Sequence, residues 1–124
     1  MKTFDFEAFG AIHPIELRVN TYYDGNLAID MLTWEDGQPE PWSTMTVNLD
    51  GLRPLDCAWI DVNNGGNDIL AFLIRYGLAI PTGRIQRSGF CQYPEYRFRA
   101  ERLQEIDPVG YAAYLQVRET RNHA

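Results

Sequence analysis

The sequence predicts an α+β fold: a single antiparallel sheet of four to six strands, one helix packed on its apolar face, and a second helix at the C-terminus. Three observations carry this. Apolar and polar residues alternate with period two through most of the first half, and an Asp-Gly pair sits between two of the alternating runs. Two later segments place apolar residues at helical spacing behind capping residues. At 124 residues the chain has the size of one domain, and such a domain buries roughly two-thirds of the surface its unfolded form exposes. It therefore needs neither metal nor disulfide to hold a core. Residues 1–124 read as that one domain, with 107–124 as a C-terminal helical extension.

The elements follow in order. Phe4 and Phe6 alternate with Thr3, Asp5 and Glu7, and Ile15, Leu17 and Val19 alternate with Glu16, Arg18 and Asn20. In Tyr23-Asp24-Gly25-Asn26, the glycine supplies the positive φ of a hairpin turn. Leu27, Ile29 and Met31 continue the alternation on the return strand. The stretch from Trp34 to Trp42 reads as a turn-rich connection, after which Met45, Val47 and Leu49 alternate as a further strand. Four strands with short joins make a meander, apolar on one face and polar on the other. Cys57-Ala58-Trp59-Ile60 is a short apolar run that suits a buried strand. Asp61 to Asp68 is an Asx- and glycine-rich loop ending in helix caps. Ile69, Leu70, Phe72, Leu73 and Tyr76 follow at helical spacing, with Gly77 as a stop, predicting a helix over 68–76. Pro81 to Arg84 and Ser88-Gly89 mark turns, and Tyr93 to Arg99 alternates as an edge or final strand would. Asp107-Pro108 opens a last helix bearing Tyr111, Tyr114, Leu115 and Arg118. The predicted core is Phe4, Phe6, Leu17, Val19, Leu27, Ile29, Val47, Leu49, Leu70 and Leu73.

Composition narrows the function. The net charge of −6 is unevenly spread: residues 1–69 hold twelve acids against Lys2, Arg18 and Arg53, whereas residues 70–124 hold eight arginines against five acids. A net-acidic protein repels a phosphate backbone, so no direct duplex nucleic-acid binding is expected. No apolar run approaches the ~20 residues that span a bilayer. No export or lipidation signal is visible, which makes the cytoplasm the expected location and a membrane no partner. In that compartment Cys57 and Cys91 are expected to be free thiols.

Catalytic and cofactor chemistry finds little footing. Asp61, Asn63 and Gly65 imitate the start of a calcium loop, but the position that requires a bidentate glutamate is Phe72. The two histidines, His13 and His123, pair with no cysteine at a metal-ligand spacing. A cysteine nucleophile needs a base, and His13, just before Pro14, sits where a turn more often places it. No glycine-rich phosphate loop is present. No metal, cofactor or enzyme activity is expected.

Two segments qualify instead as binding surfaces. The turn carrying Glu35, Asp36 and Glu40 is acidic. Gly83 to Pro94 mixes Arg84 and Arg87 with Phe90 and Tyr93, the residue types that anchor protein interfaces and also stack on single-stranded bases.

The opening Met1 to Gly10, then Asn26 to Ile29, Thr46 to Leu49, Asp61 to Asn64, Gly77-Leu78, Pro81 to Arg84 and Ser88 to Pro94 together resemble the bacterial family "domain of unknown function 4313". The resemblance covers roughly residues 1–100, leaving the last helix outside. It implies no catalytic residues. It implies a setting in conjugative elements and phages, whose small acidic proteins often block host defences. The expectation is therefore a non-enzymatic binding protein of the anti-CRISPR kind, holding a protein or ribonucleoprotein partner such as a defence nuclease. A plain assembly module of the element, a homodimer, and an enzyme using Cys57 or Cys91 with His13 stay open as alternatives.

Overall fold

The computed structural model describes residues 2–34 and 37–122, the last by its backbone alone. Strands β1 (Phe4–Ala8), β2 (Ala11–Thr21), β3 (Leu27–Thr33) and β4 (Glu40–Thr44) form one antiparallel sheet in that order. Strands β5 (Thr46–Val47), β6 (Cys57–Ile60), β7 (Ala79–Ser88) and β8 (Cys91–Phe98) form a second, in the order β5-β6-β8-β7. Helices α1 (Val62–Arg75), α2 (Ala100–Ile106) and α3 (Pro108–Asn122) complete the α+β architecture.

The expected single sheet is thus two. The chain crosses between them at Met45, whose N–H donates to the carbonyl of Ile29 (2.8 Å) and whose carbonyl accepts from Asp61 N–H (2.9 Å). Its side chain is fully buried. Thr46, next in line, is buried as well, so the expected alternation over 44–49 breaks where the strand changes sheet. Period-two patterning tells which residues face a core, but not which neighbour a strand pairs with. β4 accordingly begins inside the stretch from Trp34 to Trp42 read as a connection and ends at Thr44. Val47, Leu49 and Leu70 are half-buried, and the other seven predicted core residues are buried. One apolar cluster draws on both sheets and all three helices.

Helix α1 begins earlier than the spacing predicts. Asp61 caps a first turn by accepting from Asn64 N–H (3.2 Å), and Gly66, at φ 60° and ψ −157°, breaks the helical path before Ile69, Phe72 and Leu73 turn inward. Phe72 meets Phe4 and Phe6 edge-on, with ring centroids 5.8 and 5.3 Å apart. Gly77 ends the helix as expected: at φ 60° it lets Leu78 N–H reach Leu73 O (3.0 Å) and its own N–H reach Ile74 O (3.2 Å). A Cβ there meets nothing within 4 Å. Gly77→Ala is therefore expected to cost only the backbone penalty, about 1–2 kcal/mol by urea denaturation, and Gly77→Asn less.

The Asp24-Gly25 pair closes the β2–β3 hairpin as predicted, with Tyr22 N–H on Asn26 O (2.8 Å) and Gly25 at φ 99°. At the other end of the chain, α2 and α3 cover the edge that β2 exposes beyond its pairing with β1, which stops at Ile15. Asp107 does this with both oxygens: one caps α3 by accepting from Gly110 N–H (3.0 Å), the other accepts from Val19 N–H (3.1 Å). Gly110 must be small here, because a Cβ would lie 2.3 Å from the Val19 carbonyl oxygen. Gly110→Ala is expected to push α3 off β2 and cost about 2–3 kcal/mol. A melting temperature unchanged from wild type would contradict that contact. Among the described residues no helix is long and apolar enough to cross a membrane.

Candidate functional site: the β7–β8 arm and its base

β8 pairs with β6 only from Trp59↔Glu95 to Cys57↔Arg97. Beyond Glu95 it has β7 alone, so Ile85–Ser88 and Cys91–Pro94 make a two-stranded arm. Every residue from Ile80 to Phe90 is exposed. The tip is a two-residue turn with Gly89 at φ 63°, where positive φ matches the twist of the strands and leaves Phe90 wholly in solvent. Direct pairing of Ile85 with Pro94 and of Arg87 with Gln92 puts these four on one face of the arm. The other face carries Arg84, Gln86, Cys91, Tyr93 and Glu95.

The predicted contact residues therefore divide. Arg87 and Phe90 stand on the exposed arm, Ile85 joins them at 62 % exposure, and Tyr93 is buried at 9 %. Arg84 turns towards the base, where its Nη1 donates to Glu95 Oε1 (3.1 Å). Glu95 is completely buried and fully partnered. Thr82 Oγ1 donates to the same oxygen (2.7 Å) and Arg53 Nη1 to the other (3.0 Å). A carboxylate in such a position stays charged only because cations and a hydroxyl replace the water it has lost.

Arg53 ties this anchor to the rest of the molecule. Its guanidinium lies 4.7 Å above the Trp59 ring. Its backbone N–H donates to Asn26 Oδ1 (2.7 Å), and its carbonyl accepts from Arg118 Nη2 on α3 (2.7 Å). The arm is thus stationed by contacts from the β2–β3 hairpin, from the loop before β6 and from the last helix. Nothing in the local sequence announces Glu95, which reads as one polar member of an alternating strand.

The acidic surface is less available. Glu35 and Asp36 lie outside the described residues, and Glu40 is exposed on β4, at the edge of the first sheet. On the outer face of that sheet Glu16 accepts from Arg18 (2.7 Å) and Trp34 (3.2 Å), Asp30 accepts from Asn20 and Thr44, and Glu7 pairs with Arg75 (3.3 Å). Phe9 occupies the β1–β2 tip at φ 54°, 90 % exposed, beside a cleft of about 280 Å³ walled by Phe6, Met31, Trp42 and Ile69.

The cysteines and His13, the pairing that the sequence left open, lie in different sheets. Burial pushes the Cys57 thiol up, with Glu95 adding to the effect, the opposite of what a nucleophile needs. His13 sits on β2 against Trp42, ring centroids 4.5 Å apart, whereas both cysteines flank the second sheet. Both are free thiols. Among the described residues no three of His, Cys, Asp and Glu group as metal ligands.

Asp56 carries a pH signature. Burial raises its carboxyl above the ordinary 3.8, against the hydroxyl of Tyr111 that donates to both its oxygens (3.1 and 3.2 Å) and the nearby Arg118 and Arg97. Burial, together with the charge of Asp56, also pushes the Tyr111 hydroxyl far up. Because the folded pKa of Asp56 exceeds the unfolded one, its contribution to stability is present below about pH 4 and is lost as pH rises through the raised value. Asp56→Asn is expected to remove that decline, read as the slope of unfolding free energy between about pH 4 and pH 7. An identical slope in the variant would contradict the assignment.

The model of the family Domain of unknown function (DUF4313) matches residues 16–117. The chain belongs to this family. The match takes in the arm, its base and α3 as far as Val117, so the last helix is part of what the family shares and not an addition outside the resemblance. Burial agrees, since Tyr111, Tyr114 and Arg118 pack into the molecule. Residues 1–15, including β1, lie before the match. No curated protein and no solved structure matches the chain significantly.

Proposed function

We propose that this chain is a non-enzymatic binding protein whose contact surface is the β7–β8 arm, and that it acts as an anti-defence inhibitor holding a host nuclease complex. One observation carries the binding role. The arm exposes Ile85, Arg87 and Phe90 on a ribbon that the core does not use, while Glu95 and Arg53 hold its base in place. Isolated two-stranded ribbons are marginal in water, so a stationed one with apolar and guanidinium groups on view suits a partner's surface. The arm between Ile80 and Pro94 has no acidic residue, in a protein of net charge −6. The inhibitory role is supported by the mobile-element setting that the family resemblance implies.

An interference assay against a panel of CRISPR and restriction systems tests this, with the wild-type chain expected to protect a targeted phage or plasmid from one of them. Capture of a partner with no protection against any system would replace inhibition by an assembly role on the same arm.

A further inference from the structure

We propose that the groove at the base of the arm is a docking subsite for an acidic segment of a protein partner, one whose carboxylate is flanked by aliphatic side chains. This rests on the arm being the contact surface and adds the chemistry of what lies beside it. The groove, of about 600 Å³, runs between the loop before β6 and the start of β7. Its floor is the row Cys57, Arg97 and Ile80, which pair directly across β6, β8 and β7 and so point to one side. Pro54 and Leu55 form one wall, Pro81 and Arg84 the other.

Charge decides the sign of the ligand. Arg84 and Arg97 line the groove. Three guanidiniums, of Arg53, Arg84 and Arg97, stand against two buried carboxylates, Glu95, which bonds Arg53 and Arg84, and Asp56, next to Cys57 in the chain. Arg97 forms no ion pair among the described residues, and Asp56, on whose carboxyl its charge acts, accepts from Tyr111 with both oxygens. The Arg84 side chain is 62 % exposed and uses one nitrogen on Glu95, leaving donors towards the groove. The excess is positive and open, and planar guanidiniums suit carboxylate geometry.

The walls decide between anions. Leu55 and Ile80 are 48 % and 42 % exposed, with two prolines beside them, and no aromatic ring lines the groove on which a base would stack. An acidic peptide with aliphatic neighbours satisfies both the charge and the walls.

Fluorescence anisotropy on the full chain tests this with three labelled probes: a peptide alternating leucine and glutamate, its leucine–glutamine counterpart, and oligothymidylate. The glutamate peptide is expected to bind, to weaken with salt, and to lose about tenfold in affinity on Arg97→Gln, with Arg97→Lys between the two. Arg18→Gln, on the outer face of the first sheet, is expected to leave that affinity unchanged. Because the peptide assay needs no host partner, the groove can fail while the arm still captures one, and the reverse. Equal binding of the glutamine peptide, preference for oligothymidylate, no binding of any probe, or indifference to Arg97→Gln would each overturn the assignment.

Discussion

Replacing Glu95 with alanine is expected to lower the unfolding free energy by about 3–5 kcal/mol, a large part of the 5–15 kcal/mol that holds a domain of this size. The carboxylate is fully buried and gives one oxygen to Arg53, the other to Arg84 and Thr82. Without it the Arg53 guanidinium, whose side chain is only 21 % exposed, is left beside Trp59 with no counter-charge. Most of the loss comes from that stranded cation. Arg84 contributes little, because at 62 % exposure water can replace its partner. Glu95→Gln keeps the volume and the Thr82 bond and is expected to lose less than alanine does. Because the ion pairs fix where the arm leaves the sheet, amide exchange in Ile85–Ser88 and Cys91–Tyr93 should quicken in both variants. Wild-type stability in the alanine variant would show that the anchor is not holding the arm.

Ile29→Ala is the second large effect, expected at about 2–5 kcal/mol. Ile29 is completely buried on β3, paired with Val19, and its carbonyl takes the N–H of Met45 where the chain crosses between the sheets. A cavity here loosens the crossing as well as the core, so both sheets should melt together. Urea denaturation followed by near-ultraviolet circular dichroism and by amide exchange checks this. Separate transitions for the two sheets would contradict a shared core.

Much of this core was legible in the sequence, because period two over 4–7, 15–20 and 27–31 has one physical cause, a sheet with one dry face. The hairpin at Asp24-Gly25 and the stop at Gly77 were legible because positive φ selects glycine at both. The split into two sheets was not, since it depends on what Met45 and Thr46 bond to, and burial of both neighbours erases the alternation there. Helix α2 went unseen because a seven-residue helix with Leu103 alone buried shows no stripe. The arm was legible as an unusual stretch of arginine, glycine and aromatic residues, but its division into faces was not. That division requires the register that places Ile85 and Arg87 together and turns Arg84 and Tyr93 away. The Arg53–Glu95 anchor joins residues 42 positions apart, and no local pattern marks such a pair.

The most direct measurement for the arm as contact surface is capture of the host partner by the chain carrying Arg87→Glu together with Phe90→Ala. Both side chains are exposed, so the variant should keep the wild-type melting temperature. The expected result is stoichiometric retention of one partner by the wild type and a loss of at least about tenfold in affinity by the variant, with protection in the interference assay lost in parallel. Retention of the same partner with unchanged affinity by the well-folded variant would contradict the assignment of function to this arm.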